Sequence, residues 1–186
     1  MEPAKRVRPV QINERYRKGK LSTRAIKQRS IIKTLAMAPD QTRNAIARQL
    51  VRERGLSASN AYHCVFKELG ECLIPGGIVE QAAYVKTGMG PRILQKTGIP
   101  AFRLSEIGAI IAASLDEIEF SKRSRIVENY LISKATSDSR SFAMYEDALS
   151  RFRKNPQFGL EMLKQGVSEF LKGKLDQPIA LLLKTV

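Results

Sequence analysis

The stretch RNAIARQLVRERGLSASNAYHCVFKEL, residues 43–69, decides how this chain is read. Ile46, Ala47, Leu50 and Val51 recur at helical spacing and form one apolar stripe, while Arg43, Arg48, Arg52 and Arg54 face elsewhere. Asp40 or Thr42 caps this helix at its start, and Gly55 ends it in the left-handed conformation favoured at helix C-termini. Leu56 is expected to be buried. Ser57 or Ser59 then caps a further helix that runs to about Leu69. At about 100° per residue, Ala61, Cys64, Val65 and Leu69 share one side of it. Ser59, Asn60, His63 and Lys67 lie on the other side, with Tyr62 and Phe66 at the boundary. A small apolar back and a hydrogen-bonding front suit a major groove, where Asn bonds adenine and Lys bonds guanine. Taken alone, the same pattern also describes an ordinary surface helix.

Upstream, Ile31, Ile32, Leu35 and Ala36 mark a helix beginning near Ser30, and Pro39 stops it. Downstream, a turn at Pro75-Gly76-Gly77 leads into a strand from Ile78 to about Val85. Residues 86–100, KTGMGPRILQKTGIP, carry Lys86, Arg92 and Lys96 and no acid, and read as a hairpin. Ala101-Phe102-Arg103-Leu104 alternates as a second strand, and Ser105 caps a helix from Glu106 to Leu115.

The chain has 186 residues, 32 Lys+Arg against 18 Asp+Glu, and a formal net charge of +14. Residues 1–29 alone hold ten basic and two acidic side chains, a net of +8. Residues 30–115 net +4 and residues 116–186 net +2. This layout divides the chain into a basic arm (1–27), a central domain (28–115) and a nearly neutral helical region (116–186). Such an excess of charge points to an acidic partner, with nucleic acid leading and a membrane surface or acidic protein as the other classes. The arm, poor in apolar residues, is expected to be mobile in isolation, to become helical near Leu21, and to follow phosphates or enter a minor groove through Arg6, Arg8, Arg15, Arg17, Lys18 and Lys20. A solvated tail is the plain alternative.

The order helix, helix, helix, strand, basic hairpin, strand, helix resembles the winged helix-turn-helix superfamily. The residues that carry the resemblance are Ile46-Ala47…Leu50, Gly55-Leu56-Ser57, and Ala61, Val65 and Leu69. Phe102-Arg103-Leu104-Ser105-Glu106-Ile107-Gly108 looks like the ending of the second wing strand in that family. Small prokaryotic and archaeal regulators are the most similar members. Val51-Arg52-Glu53-Arg54 departs from the pattern by lengthening the second helix by about one turn, and the hairpin is longer than a minimal wing. The resemblance implies a mainly α fold with a small β-hairpin wing and a C-terminal helical extension. It implies a double-stranded DNA-binding protein, a transcription regulator located with the nucleoid in the cytoplasm. Ser59, Asn60, His63 and Lys67 would reach bases or nearby phosphates; Lys86, Arg92 and Lys96 of the wing (84–100) would meet the backbone or minor groove. Arg43 would help position the module. The rival readings are an architectural or replication-associated DNA protein and a winged-helix scaffold that meets only protein.

Other chemistry is set aside at this level. Ser30-Ile31-Ile32-Lys33 and the Lys-Thr-Gly segments at 86–88 and 96–98 imitate penicillin-recognising serine enzymes, but no S-x-N element lies between them. The two Lys-Thr-Gly segments are better read as opposite limbs of one hairpin. Cys64, Cys72 and the single His63 do not form a zinc spacing or a disulfide framework, so no cofactor is expected. Cys64 is expected to pack in the core. Cysteine usage and the absence of an apolar segment in MEPAKRVRPVQINERYRKGK suggest an intracellular protein without a secretory signal. No apolar run approaches the roughly 20 residues of a membrane span. Asp116, Glu117 and Glu119 read as a solvated helix start.

The C-terminal region reads as helices around Ile118, Ile126, Val127, Tyr130 and Leu131; around Phe142, Tyr145, Ala148, Leu149 and Phe152; and around Met162, Leu163, Val167, Phe170 and Leu171. Asn155-Pro156 separates the last two, and a short apolar helix follows Pro178. Such stripes need a partner, and a homodimer through these helices is the expectation, against a self-contained subdomain.

Overall fold

The first helix, α1 (Thr23–Met37), starts close to Leu21, where the sequence predicts the arm to become helical, and before the clear apolar spacing that begins at Ser30. Ser22 caps it, its hydroxyl accepting the Ala25 N–H at 3.0 Å. Gln28 and Arg29 are buried within it, so polar residues occupy core positions and mask the periodicity of its first half. The expected arm–domain boundary at 27/28 therefore falls inside α1. The structure is a computed structural model that describes residues 9–15, 19–88, 91–137 and 141–184.

After α1, Asp40 turns the chain with φ of 57°, and a two-residue strand, β1 (Gln41–Thr42), follows. Thr42, and not Asp40, caps α2 (Arg43–Arg54) by accepting the Ala45 N–H at 3.3 Å. Gly55 ends α2 at φ 63°, its N–H returning to the Val51 carbonyl at 2.9 Å. Leu56 is only half-buried, contrary to expectation. Ser57 caps α3 (Ala58–Glu68) through the Asn60 N–H. The helix does not stop at Leu69: it continues as a π-helical turn, Leu69–Leu73, whose Leu69, Cys72 and Leu73 are all buried.

Two longer strands, β2 (Val79–Val85) and β3 (Ile99–Leu104), complete a three-stranded antiparallel sheet in the order β1-β3-β2. Gln41 pairs with Phe102, Val79 with Leu104 and Val85 with Ile99, with an irregularity between Gln81 and Ala83. The hairpin contains a helix that the glycines and prolines conceal in the sequence, α4 (Arg92–Thr97), entered through Pro91 and closed by the Gly98 N–H on the Leu94 carbonyl. The two Lys-Thr-Gly segments do lie on opposite limbs, just beyond the Val85–Ile99 pair.

Ser105 opens α5 (Glu106–Ala113). Its hydroxyl accepts the Gly108 N–H at 3.0 Å and donates to the Gly77 carbonyl at 2.5 Å, while its own N–H donates to the Ile78 carbonyl at 3.0 Å. Gly108 is required by this approach: a Cβ there would overlap the Ile78 carbonyl oxygen and lie 2.9 Å from its carbon. The Ser-x-x-Gly ending is thus a clamp between the start of α5 and the start of β2.

The chain divides into two compact units between Gly108 and Ala109, inside α5 and before the 115/116 boundary read from sequence. In the first, α1, α2, α3 and β3 enclose Ile31, Ile32, Leu35, Ile46, Leu50, Val65 and Phe102, all at most 2% exposed. The second contains α6 (Phe120–Ser137), α7 (Phe142–Lys154), α8 (Pro156–Leu171) and α9 (Ala180–Lys184). Asn155 caps α8 through the Phe158 N–H, and Pro156 occupies its first turn, where a missing N–H costs nothing. Val127, Leu131, Phe152, Leu160, Leu163, Val167 and Ile179 form the second core. Asp116 does not stand free at a helix start: it accepts from Arg123 at 3.3 Å and Lys164 at 2.6 Å, while Arg123 also holds the Ala113 carbonyl at 2.8 Å. Glu117 and Glu119 remain exposed. The protein is mainly helical with one small antiparallel sheet, and among the described residues no helix is long and apolar enough to cross a membrane.

Candidate nucleic-acid interface

Helix α3 is held by its apolar side. Ala61, Cys64 and Val65 are buried, and burial pushes the Cys64 thiol up despite the opposing charge of Lys27. Glu68 is buried too, where an unpaired carboxylate would be costly. It accepts from Gln28 at 2.8 Å and from Arg24 at 3.4 Å, which ties α3 to α1. What remains outside is the predicted front: Ser59, Asn60 and His63 are exposed and Lys67 is half-exposed. Tyr62 and Phe66, expected at the boundary, are also exposed. No acid lies on this outer face; Glu68, the one carboxylate of α3, points inward.

Arg43 stands where α3 meets β3. Its guanidinium stacks over the Phe66 ring at 4.7 Å and the Phe102 ring at 5.2 Å. It thereby connects α3 to β3, the strand that returns from the hairpin. Its Nε is buried without a hydrogen-bond partner. With both rings in cation–π reach of its guanidinium, Arg43 links α3 to the sheet.

Lys86, Arg92 and Lys96 are all exposed, on or beside the hairpin helix α4. Residues 81–104 contain no acid. The nearest carboxylate along β2, Glu80, is matched across the sheet by Arg103 Nε at 2.7 Å, a contact that raises the Arg103 pKa. The hairpin therefore presents uncompensated positive charge.

The arm needs the largest correction. Residues 9–15 are docked, not free. Ile12 is fully buried. The Gln11 N–H donates to Gln28 Oε1 at 2.7 Å, Arg24 donates to Gln11 Oε1 at 2.8 Å, and Ser22 N–H donates to the Glu14 carbonyl at 2.9 Å. Arg24 also reaches Cys72 Sγ at 2.7 Å. Arg15 bridges to Leu21, and its side chain curls onto the Gly19 carbonyl at 2.8 Å. Arg15 and Lys20 are thus exposed beside the Arg15–Leu21 bridge, next to the start of α1. The signal that reveals this is the pairing of one apolar residue, Ile12, with amide-bearing Gln11 and Gln28; charge counting hides it. Arg6, Arg8, Arg17 and Lys18 lie outside the described residues.

No family model, curated protein or solved structure matches the chain. The site therefore rests on its own geometry. Among the described residues, no cluster of three or more His, Cys, Asp or Glu side chains is placed to hold a metal. Ser30 is buried, and Lys33 is paired with Glu53 at 3.0 Å, so the two serve the helix packing around them. Glu53 lies in a groove between α1 and α2 that Arg48 and Arg52 also line. Desolvation alone would raise its pKa, but hydrogen bonds from Gln49 and Lys33 outweigh it and lower the value.

Proposed function

We propose that the protein binds double-stranded DNA as a winged helix-turn-helix transcription regulator. The observation that carries this reading is the outer face of α3: Ser59, Asn60 and His63 exposed with Lys67 beside them, and the single carboxylate of the helix turned inward. The order of three helices, β2, the basic hairpin with α4 inside it, β3 and α5 supports it, since that succession of elements resembles a winged helix. In this reading α3 enters the major groove, about 12 Å wide and able to admit a helix. Asn60 and Lys67 read base edges, while Ser59 and His63 meet bases or phosphates. Lys86, Arg92 and Lys96 neutralise backbone phosphates on one side, and Arg15 and Lys20 do so from beside the start of α1. Arg43 links α3 to the sheet and so helps position the module.

The second unit supplies self-association. Phe142, Met144 and Phe158 are 42–52% exposed on α7 and α8, large apolar side chains that a second copy would cover. A two-fold dimer would set two α3 helices about 34–36 Å apart, one helical turn of DNA. The protein would act at the nucleoid, in the cytoplasm.

The test is selection of bound duplexes from a random pool, followed by competition with mixed-sequence DNA. Enrichment of a defined site, resistant to competition, is the expected result. Equal affinity for all duplexes would replace the regulator by an architectural protein. Absence of duplex binding at low salt would leave the protein-scaffold reading.

A further inference from the structure

We infer that the hairpin is a wedge: Ile93 enters a base step from the minor groove, with Leu94 beside it, and bends the duplex. The inference rests on the DNA-binding reading above and names how one part of that site works.

Four large apolar side chains stand in solvent at the hairpin end. Ile93 is 69% exposed and Leu94 36% on α4, and Tyr84 and Val85 are 60% and 44% exposed at the end of β2. They belong to one place. Tyr84 pairs with Pro100 and Val85 with Ile99, and Gly98, immediately before that pair, is bonded through its N–H to the Leu94 carbonyl. Isolated apolar residues on a surface are ordinary, but a group of them marks a contact. Around this group the charge has one sign, with Lys86, Arg92 and Lys96 exposed and no acid anywhere in 81–104.

The occupant must therefore offer apolar surface and negative charge together. Duplex DNA does so at an opened base step, where the faces of two bases are flanked by phosphates. Geometry favours opening. A helix with its side chains is about 10–12 Å across, whereas the minor groove of B-DNA is only about 6 Å wide. Helix α4 fits only where the groove has widened, and wedging an apolar side chain between base pairs widens it by bending the duplex toward the major groove. Ile93, the more exposed of the two, is the wedge; Leu94, the next residue on the helix, covers the adjoining sugar. The cost is least at pyrimidine–purine steps, so the hairpin prefers TA and CA steps without reading a base edge.

The test uses the full chain and a mixed-sequence duplex with a fluorophore at each end and 2-aminopurine at a central TA step. Wild-type protein and the double variant Ile93→Ala/Leu94→Ala are compared, first by circular dichroism melting, which should stay cooperative and nearly coincide because Ile93 is 69% exposed and Leu94 36%. The expected result is a wild-type complex bent by about 20–90°, with brightened 2-aminopurine. The variant should bind with the same salt slope, because its cations are intact, yet leave the duplex straight and the 2-aminopurine quenched. Equal bending by both proteins, or a straight duplex in the wild-type complex, overturns the wedge while leaving DNA binding in place. Loss of self-association in the variant, read by sedimentation, would assign the apolar group to a second copy and overturn it as well. Failure of both proteins to bind any duplex would remove the parent reading, and the binding curve reports that separately from the bend.

Discussion

Replacing Ile12 with Ala removes the fully buried apolar anchor of the segment 9–15. Ile12 has 0% exposure, so the whole side chain leaves water on docking. Truncation to Ala deletes three carbons, worth about 0.8 kcal/mol each, or roughly 2.4 kcal/mol before any cavity term. Large-to-small substitutions of this kind reach about 2–5 kcal/mol when the surroundings do not collapse. Two features concentrate the effect on local opening and not on the whole fold. The segment lies at the margin of the first unit, and its polar contacts (Gln11 with Gln28 and Arg24) form only when it is docked. Opening of 9–15 alone should then rise roughly fifty-fold, at 1.4 kcal/mol per factor of ten. Hydrogen exchange reads this at the Gln11 amide, whose N–H is bonded to the buried Gln28. The wild type should protect that amide, and Ile12→Ala should release it while the α2 amides stay protected. Duplex affinity should weaken in parallel as Arg15 and Lys20 lose their fixed position. A wild-type Gln11 amide that exchanges as fast as a free peptide would refute the docked segment, and so would unchanged protection in the variant.

Gly108→Ala forces a methyl group into the Ile78 carbonyl; overpacking against backbone should cost about 1–3 kcal/mol or more, seen as a lower urea midpoint. Cys64 and Cys72 are free and buried, and desolvation raises both thiol pKa values, with Arg24 only partly opposing it at Cys72. A folded pKa above the unfolded one stabilises fully below the unfolded value and loses that contribution as pH rises through the folded value. Stability should therefore fall on the alkaline side of the ordinary thiol range, and iodoacetamide should label both cysteines slowly until urea unfolds the chain; fast labelling of the native protein would contradict the burial. Asn60→Ala should reduce discrimination between selected and scrambled sites by about 1–3 kcal/mol, with the salt slope unchanged; equal discrimination would remove Asn60 from the base-reading set.

The sequence displays α2 and α3 clearly because both carry a clean apolar stripe between a hydroxyl cap and a break, and Gly55 marks the break without ambiguity. Helix α1 is half hidden because Gln28 and Arg29 sit in its buried positions and find partners only in three dimensions. The hairpin helix α4 is short, exposed and surrounded by Gly and Pro, so no periodicity announces it. At the candidate site, local features such as the polar front of α3 and the acid-free hairpin follow from spacing and charge. Long-range features do not. The cation–π contacts of Arg43 with Phe66 and Phe102 join residues far apart in the chain. The docking of Gln11 and Ile12 depends on partners such as Gln28 and Arg24 of α1, and the ten cations of residues 1–29 read as a flexible arm.

The central claim is that an acid-free basic hairpin and the outer face of α3 hold duplex DNA. Duplex affinity measured against salt concentration tests it most directly, with wild type set beside Lys86→Ala/Arg92→Ala/Lys96→Ala. Each phosphate neutralised contributes about −0.9 to the slope of log K against log salt. The wild-type slope should be steep and flatten by up to about 2.7 in the triple variant. Salt-independent binding, or an identical slope in both proteins, would contradict it.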